Sequence, residues 1–284
     1  MKVVTTLQEL RACRAELPAP VGFVPTMGYL HEGHLSLVRA ARQECASVAV
    51  SIFVNPTQFG PQEDLDTYPR DLDRDLKLLR SEGVDLVWTP SREEMYPPGY
   101  QTWVTVEDLT LPLEGKVRPG HFRGVTTIVS KLFIAVQPEK AYFGQKDAQQ
   151  ALVIRQMVRD LNFPIEIKIC PTVREPDGLA LSSRNVYLNA DQRKAAPVLY
   201  RALRTAQEAY QAGECDAQTL RRIVEETIAR EPLARLQYVS CADLGSLQEI
   251  EGAVHSPALL SIAVFIGSTR LIDNIILDAP HDIE

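Results

Sequence analysis

Two of the five histidines in the chain stand three residues apart, in Pro25-Thr26-Met27-Gly28-Tyr29-Leu30-His31-Glu32-Gly33-His34. Imidazoles at that spacing share one side of a helix and can donate together to one polyanion. The stretch follows a β-branched run, Val21-Gly22-Phe23-Val24, and leads into an apolar-periodic one, so it reads as the turn from a strand into a helix. A helix N-terminus offers free N–H groups and a positive dipole end to a phosphate. Glycines at 28 and 33 let the backbone come close to such a group. The chemistry suggested is that of a polyphosphate. The same residues also fit a capped helix with two surface histidines. A zinc site fits less well, because the spacing is His-x-x-His and no third ligand stands out.

Three more clusters carry polar chemistry. Phe143-Gly144-Gln145-Lys146-Asp147-Ala148-Gln149-Gln150 is again a strand end, a glycine and a helix start. Lys146 supplies a point charge for phosphate, Asp147 either orients a nucleotide hydroxyl or caps the helix, and Gln150 can hydrogen-bond a small substrate. Leu181-Ser182-Ser183-Arg184-Asn185 sets two hydroxyls beside a guanidinium that stays charged and binds phosphate with two donors. It reads alternatively as a polar loop between domains, and neither serine lies in Gly-x-Ser-x-Gly. Phe53-Val54-Asn55-Pro56-Thr57-Gln58-Phe59 offers Asn55 and Gln58 between aromatic walls, a composition suited to a small hydroxylated acid, or else to an Asn-Pro turn packed by Phe59. Arg118 to Gly124 reads as a mobile basic loop, and Gly267 to Asn274 as a structural strand.

These clusters need elements to hold them. Short apolar strands are predicted at 21–24, 47–54, 85–88 and 141–143, with helical patterns at about 34–46, 70–82, 124–136 and 147–161 between them. That alternation argues for a parallel sheet with helical crossovers. Beyond residue 172 the pattern changes. One long helix is predicted over 191–213 with Asn189 as N-cap and Gly213 as stop, then a helix at 216–230 and β-rich stretches near 236–242, 258–265 and 269–277. The expected fold is α/β. A Rossmann-like parallel sheet domain spans 1–172, expected to bind a nucleotide and a small hydroxylated acid, and a smaller α+β domain with an antiparallel sheet spans 173–284 as a lid.

Composition narrows the function classes. Among 284 residues, 37 acidic side chains outnumber 30 basic ones for a net charge of −7, so the overall field repels nucleic-acid backbones and anionic lipid. The five cysteines are dispersed and lack Cys-x-x-Cys spacing, which fits a reducing compartment rather than a disulfide framework. No apolar stretch approaches the ~18–20 residues of a membrane span. A cytoplasmic protein with neither nucleic-acid nor membrane partners is expected.

With PTMGYLHEGHLSL, FVNPTQF, RPGHFRGV, YFGQKDAQQ and LSSRN in this order, the sequence resembles the pantoate–β-alanine ligase (pantothenate synthetase) family over nearly its whole length. His31-Glu32-Gly33-His34 also resembles the His-x-Gly-His signature of the wider nucleotidylyltransferase superfamily. The resemblance implies condensation of pantoate with β-alanine using ATP and Mg²⁺ through a pantoyl adenylate, with AMP and pyrophosphate released, in a homodimer. It implies an ATP site of Met27, Gly28, Tyr29, Leu30, His31, Glu32, Gly33, His34, Gly144, Gln145, Lys146, Asp147, Val173, Leu181, Ser182, Ser183 and Arg184. His34 is the implied proton donor. With His31, Lys146, Ser182, Ser183 and Arg184 it forms the expected catalytic set. Gln58 would contact pantoate and β-alanine and Gln150 pantoate, with Asn55 beside them. The family often has Glu where Gln145 stands and Met where Leu181 stands. The metal ligands are unassigned, with Asp75 among the candidates. The rival readings are a nucleotidylyltransferase without ligation and a nucleotide-binding regulator without chemistry.

Overall fold

Val21–Thr26 is buried along both faces, as the interior strand of a parallel sheet should be. The computed structural model of the protein describes residues 1–61, 63–255 and 257–278. Two compact units divide the chain, the first comprising Met1–Gln145 with Gln149–Pro171, the second Lys146–Ala148 with Thr172 onward.

In chain order the first unit runs β1 (Lys2–Val4), α1 (Leu7–Ala15), β2 (Val21–Thr26), α2 (Glu32–Glu44), β3 (Ser47–Ile52), α3 (Leu72–Ser81) and β4 (Leu86–Trp88). It continues with α4 (Arg92–Met95), α5 (Glu114–Val117), α6 (His121–Val136), β5 (Lys140–Gly144), α7 (Ala148–Asp160) and β6 (Glu166–Cys170). All six strands are parallel, in the order β1-β4-β3-β2-β5-β6. Alternate side chains serve opposite faces of the sheet. Phe23, Ala49 and Leu86 pack with Phe133 of α6 and Met157 of α7, while Val24, Val50 and Val87 pack with Val38 of α2 and Leu79 of α3. The result is a sheet covered by helices on both sides.

The order of strands reverses at β2, whose chain continues outward to β3 on one side while β5 lies on the other. Ligands in open α/β sheets gather at the carboxyl ends of strands beside such a switch. β2 stays paired with β3 as far as Thr26↔Ile52, but with β5 only at Gly22 and Phe23. Pro25, which has no N–H to give, falls beyond the last β2–β5 pair, so its missing donor leaves no gap in that ladder.

The predicted strands and helices of this half correspond to β2–β5, α2, α3, α6 and α7. The sequence reading overlooked β1, α1 and β6. It also took Arg118 to Gly124 for a mobile basic loop, and here the structure corrects it. His121 opens α6 and is buried, and Gly120 precedes it in the left-handed conformation.

The second unit contains α8 (Ala190–Ala195), α9 (Val198–Gln211), α10 (Ala217–Ala229), β7 (Ala234–Asp243), β8 (Ala258–Ile266) and β9 (Thr269–Leu277). The strands form an antiparallel sheet ordered β7-β8-β9, with β8 buried along almost its whole length. Leu199, Leu203, Leu220 and Val224 from α9 and α10 pack with Leu260, Ile262 and Val264. Asn189 caps α8 by accepting from Asp191 and Gln192. The single helix predicted over 191–213 is two helices, because Pro197 stands between α8 and α9 and has no N–H to continue the ladder. Gly213 follows α9 with φ +106°, as its reading as a stop requires. No described helix is long and apolar enough to cross a membrane.

Candidate active site

The turn from β2 to α2 is built around one buried carboxylate. Gly28 and Tyr29 both adopt left-handed φ, +85° and +51°. Asp75 of α3, 1% exposed, accepts from the backbone N–H groups of Tyr29 and Leu30, both at 2.7 Å. Burial pushes the Asp75 carboxyl above its ordinary range, against the pull of those two N–H donors. A Cβ on Gly28 would lie 3.0 Å from Ile52 and 3.1 Å from Asp75 Oδ2, so the tight turn and its anchor require a glycine there. Asp75 therefore acts as an anchor for the loop, with its oxygens engaged by backbone donors. Its sequence signal was legible: it lies on the same helical stripe as Leu72 and Leu79, where a solvated carboxylate has no place.

The two histidines cap α2. His31 Nδ1 accepts from Gly33 N–H at 3.2 Å, and His34 Nδ1 accepts from His31 N–H at 3.3 Å. The rings lie 4.0 Å apart, tilted by 40°. An Nδ1 that accepts leaves the proton of a neutral imidazole on Nε2. Both rings thus present an Nε2–H donor from the start of one helix.

The second polar cluster of this unit follows β3. Asn55 is 1% exposed and caps the 3₁₀ turn Pro56–Gln58. Its Nδ2 donates to the Gly124 carbonyl and to Gln58 Oε1, each at 3.1 Å. Its Oδ1 accepts from Tyr96 O–H at 2.9 Å, Thr57 O–H at 3.0 Å and Thr57 N–H at 3.4 Å. Asn55 is therefore a support for Gln58, whose Nε2 lies 3.1 Å from the weakly accepting thioether of Met27. Helix α6 passes so close beneath this turn that a Cβ on Gly124 would come within 2.3 Å of the Thr57 carbonyl.

Gln58 is gripped from its backbone as well. Its carbonyl accepts from His121 Nδ1 at 2.8 Å and from Arg118 at 3.4 Å. A carbonyl only accepts, so Nδ1 carries the proton and Nε2 accepts from Arg118 at 3.2 Å. Burial, then the neighbouring Arg118 charge, pushes His121 down to about 4, keeping it neutral. Arg118 makes a two-pronged pair with Glu63, both contacts at 2.7 Å. Burial alone would raise the Glu63 carboxyl, but the Arg118 hydrogen bonds and charge hold it below its ordinary range.

In the second unit, Lys146 and Asp147 lie on the 3₁₀ turn Gln145–Asp147 that follows β5, with Lys146 Nζ 3.7 Å from Asp147. The Lys146 carbonyl accepts from Asn274 Nδ2 of β9 at 2.9 Å. Val173 and Leu181 face each other, the Leu181 N–H donating to the Val173 carbonyl at 3.0 Å. Ser182 caps the turn Ser183–Tyr187 by accepting from Arg184 N–H at 3.3 Å, and Ser183 is buried. Arg174 ties this hairpin to β9 through a two-pronged pair with Asp273, at 2.6 and 2.9 Å, while stacking on Tyr200 at 3.8 Å. Neighbouring residues of one strand, Asp273 and Asn274, thus hold both the Arg174 hairpin and the Lys146 turn. Gln150 lies in the first turn of α7, and its neighbour Gln149 is a structural tie, bonded to Leu109, Pro112 and Glu114.

Sequence reasoning missed Tyr96, His121, Arg174 and Asp273 as supports, because their partners lie 41 to 99 residues away in the chain. Among the described residues no group of three His, Cys, Asp or Glu side chains is placed to cage a metal ion.

Comparison with known proteins bears on this arrangement. The family model for pantoate-beta-alanine ligase matches residues 2–276. The chain is 64% identical over 278 residues to the pantothenate synthetase of Chloroflexus aurantiacus, covering 98% of this chain and 99% of that one. It is 62% identical over 277 residues to that of Herpetosiphon aurantiacus, covering 98% and 100%. A crystal structure of pantothenate synthetase from Thermus thermophilus superposes with a TM-score of 0.92 at 53% identity, covering 98% and 100%. A pantoate-beta-alanine ligase from Francisella tularensis, complexed with beta-gamma ATP and beta-alanine, gives 0.81 at 36% identity, covering 97% of each chain.

Proposed function

The chain belongs to the pantoate–β-alanine ligase family, and from that membership we propose that it joins pantoate to β-alanine using ATP, through an enzyme-bound pantoyl adenylate. The observation that carries the chemistry is the pair of capping imidazoles, each with its proton on Nε2, at the carboxyl end of β2. Such donors suit the oxygens of a polyphosphate.

A carboxylate is a poor acyl donor because oxide is a poor leaving group. Attack of the pantoate carboxylate on the α-phosphate of ATP forms a mixed anhydride and releases pyrophosphate. The β-alanine amine then attacks the acyl carbon, and the P–O-linked AMP departs with the bond electrons while the amine loses a proton. Charge grows on phosphate oxygens in the first step, so catalysis asks for positioned donors rather than a protein nucleophile. We assign His34 as proton donor to the departing pyrophosphate, with His31, Lys146, Ser182, Ser183 and Arg184 as the other donors. Met27 to Leu30, Glu32, Gly33, Gly144, Gln145, Asp147, Val173 and Leu181 complete the nucleotide contacts. An added Cβ at Gly144 would meet no protein atom within 4 Å, which leaves open space for a ligand beside that backbone. Gln58 and Gln150 hold the acid, and Asn55 sets Gln58.

Mg²⁺ would be held with the ATP phosphates and would supply positive charge there. Both Asp75 oxygens accept backbone N–H groups, which makes its role that of an anchor for the loop. We also propose a cytoplasmic homodimer, and a monomer in sedimentation velocity would overturn its dimeric state.

The deciding experiment is exchange of labelled pyrophosphate into ATP. Exchange should need pantoate and proceed without β-alanine, and pantothenate should form only when the amine is added. Exchange without pantoate would show that another group accepts the adenylyl, and no exchange with pantoate present would overturn the ligase reading.

A further inference from the structure

Gln58 is held in one sense of rotation. Asn55 cannot turn over, since the Gly124 carbonyl only accepts and the Thr57 N–H only donates, fixing which end of the Asn55 amide is nitrogen. Nδ2 therefore faces Gln58 Oε1, and the Gln58 amide group is turned to present Nε2. The Tyr96 hydroxyl lies 2.9 Å from Asn55 Oδ1, an acceptor, and 3.1 Å from Thr57 Oγ1, and its shorter contact is the donation to Asn55. We propose that Tyr96 is a positioning residue for the acid substrate, the first donor of a relay in which Tyr96 O–H serves Asn55, Asn55 N–H serves Gln58, and Gln58 N–H serves the pantoate carboxylate or hydroxyl.

Each bond in such a chain polarises the next. A donor on Asn55 Oδ1 makes Nδ2–H the stronger donor to Gln58, which in turn makes the Gln58 Nε2–H the stronger donor to an anion. Burial pushes the Tyr96 hydroxyl up to about 12, so it keeps its proton throughout the working range. Its ring is fixed by Tyr100, with centroids 5.0 Å apart, and by the Lys131 ammonium 5.7 Å from its centroid. The inference rests on the reading of Gln58 as the contact for pantoate, and the test separates the two.

Steady-state kinetics of Tyr96→Phe, Gln58→Ala and the double variant are measured with pantoate and ATP varied in turn, after thermal melts establish folding. Tyr96→Phe is expected to raise KM for pantoate by about 3- to 10-fold and to leave KM for ATP within about twofold. In the Gln58→Ala background it should add nothing further, because the relay has lost its end. A silent Tyr96→Phe beside a damaging Gln58→Ala overturns the relay alone. So does an equal rise in both KM values, or a full additional loss in the double variant, since either marks general loosening. An unchanged pantoate KM in Gln58→Ala overturns the reading of the acid site and the relay with it. If Tyr96→Phe fails to fold, Thr57→Val removes the other hydroxyl on Asn55 Oδ1. The same outcomes are expected of it, and the same ones overturn the relay.

Discussion

At the scale of single residues, the proposed reaction separates side chains assigned to a ligand from side chains that would aim them. His34→Ala and Lys146→Ala are each expected to slow pyrophosphate exchange by ~10²–10³-fold, as for loss of one oxyanion donor, with the circular dichroism spectrum unchanged. Asp75→Asn puts an amide NH₂ against one of two backbone N–H groups that now have an oxygen. Stranding that buried donor should cost about 1–3 kcal/mol in denaturant unfolding, and KM for ATP should rise more than KM for pantoate. The two histidines that cap α2 were legible in the sequence because they cluster within four positions. The residues that aim were not, with one exception. A carboxylate on the apolar stripe of α3 was visible, but its partners, two backbone N–H groups 45 residues earlier, were not.

At the scale of elements, the start of α6 carries the clearest pH signature. Unfolded, His121 takes up a proton near its ordinary value of 6.5; folded, it does so only near 4. Between those values the unfolded chain holds a proton that the fold rejects. Stability present above pH 6.5 is therefore lost as pH falls toward 4, by about 3 kcal/mol for one such group. His121→Asn keeps a donor for the Gln58 carbonyl but cannot titrate, so guanidinium titrations at pH 7 and 4.5 should show a shallower acid loss than the parent. An unchanged loss between pH 7 and 4.5 would show that His121 is not its source, because Glu63, held below its ordinary range, loses its stabilising charge only at lower pH. The strands and long helices of the sheet were legible because their periods repeat over several turns. Arg118 to Gly124 was misread because a charged, glycine-bearing stretch looks solvated until Glu63 is found beside it. Pro197 was discounted for the opposite reason: the apolar rhythm continues straight through it.

At the scale of the molecule, each unit has a core of its own. Leu203→Ala in the second core should cost about 2–5 kcal/mol. Hydrogen exchange should then quicken in α9, α10 and β8 while β2 and β3 amides keep their protection. Equal quickening everywhere would show that the chain unfolds as one cooperative body. The change of fold class after residue 172 was readable from composition and period. Unreadable was the claim of the second unit on Lys146–Ala148, three residues embedded in the chain of the first. That claim has a consequence for modularity. The backbone passes from one territory to the other at three places, so no single scission frees a self-contained half. A gene cut at 171/172 would deliver a fragment whose Asn274 has lost the carbonyl it holds, and any ancestral recombination that exchanged this module as a cassette had to carry along, or rediscover, a lysine turn encoded upstream.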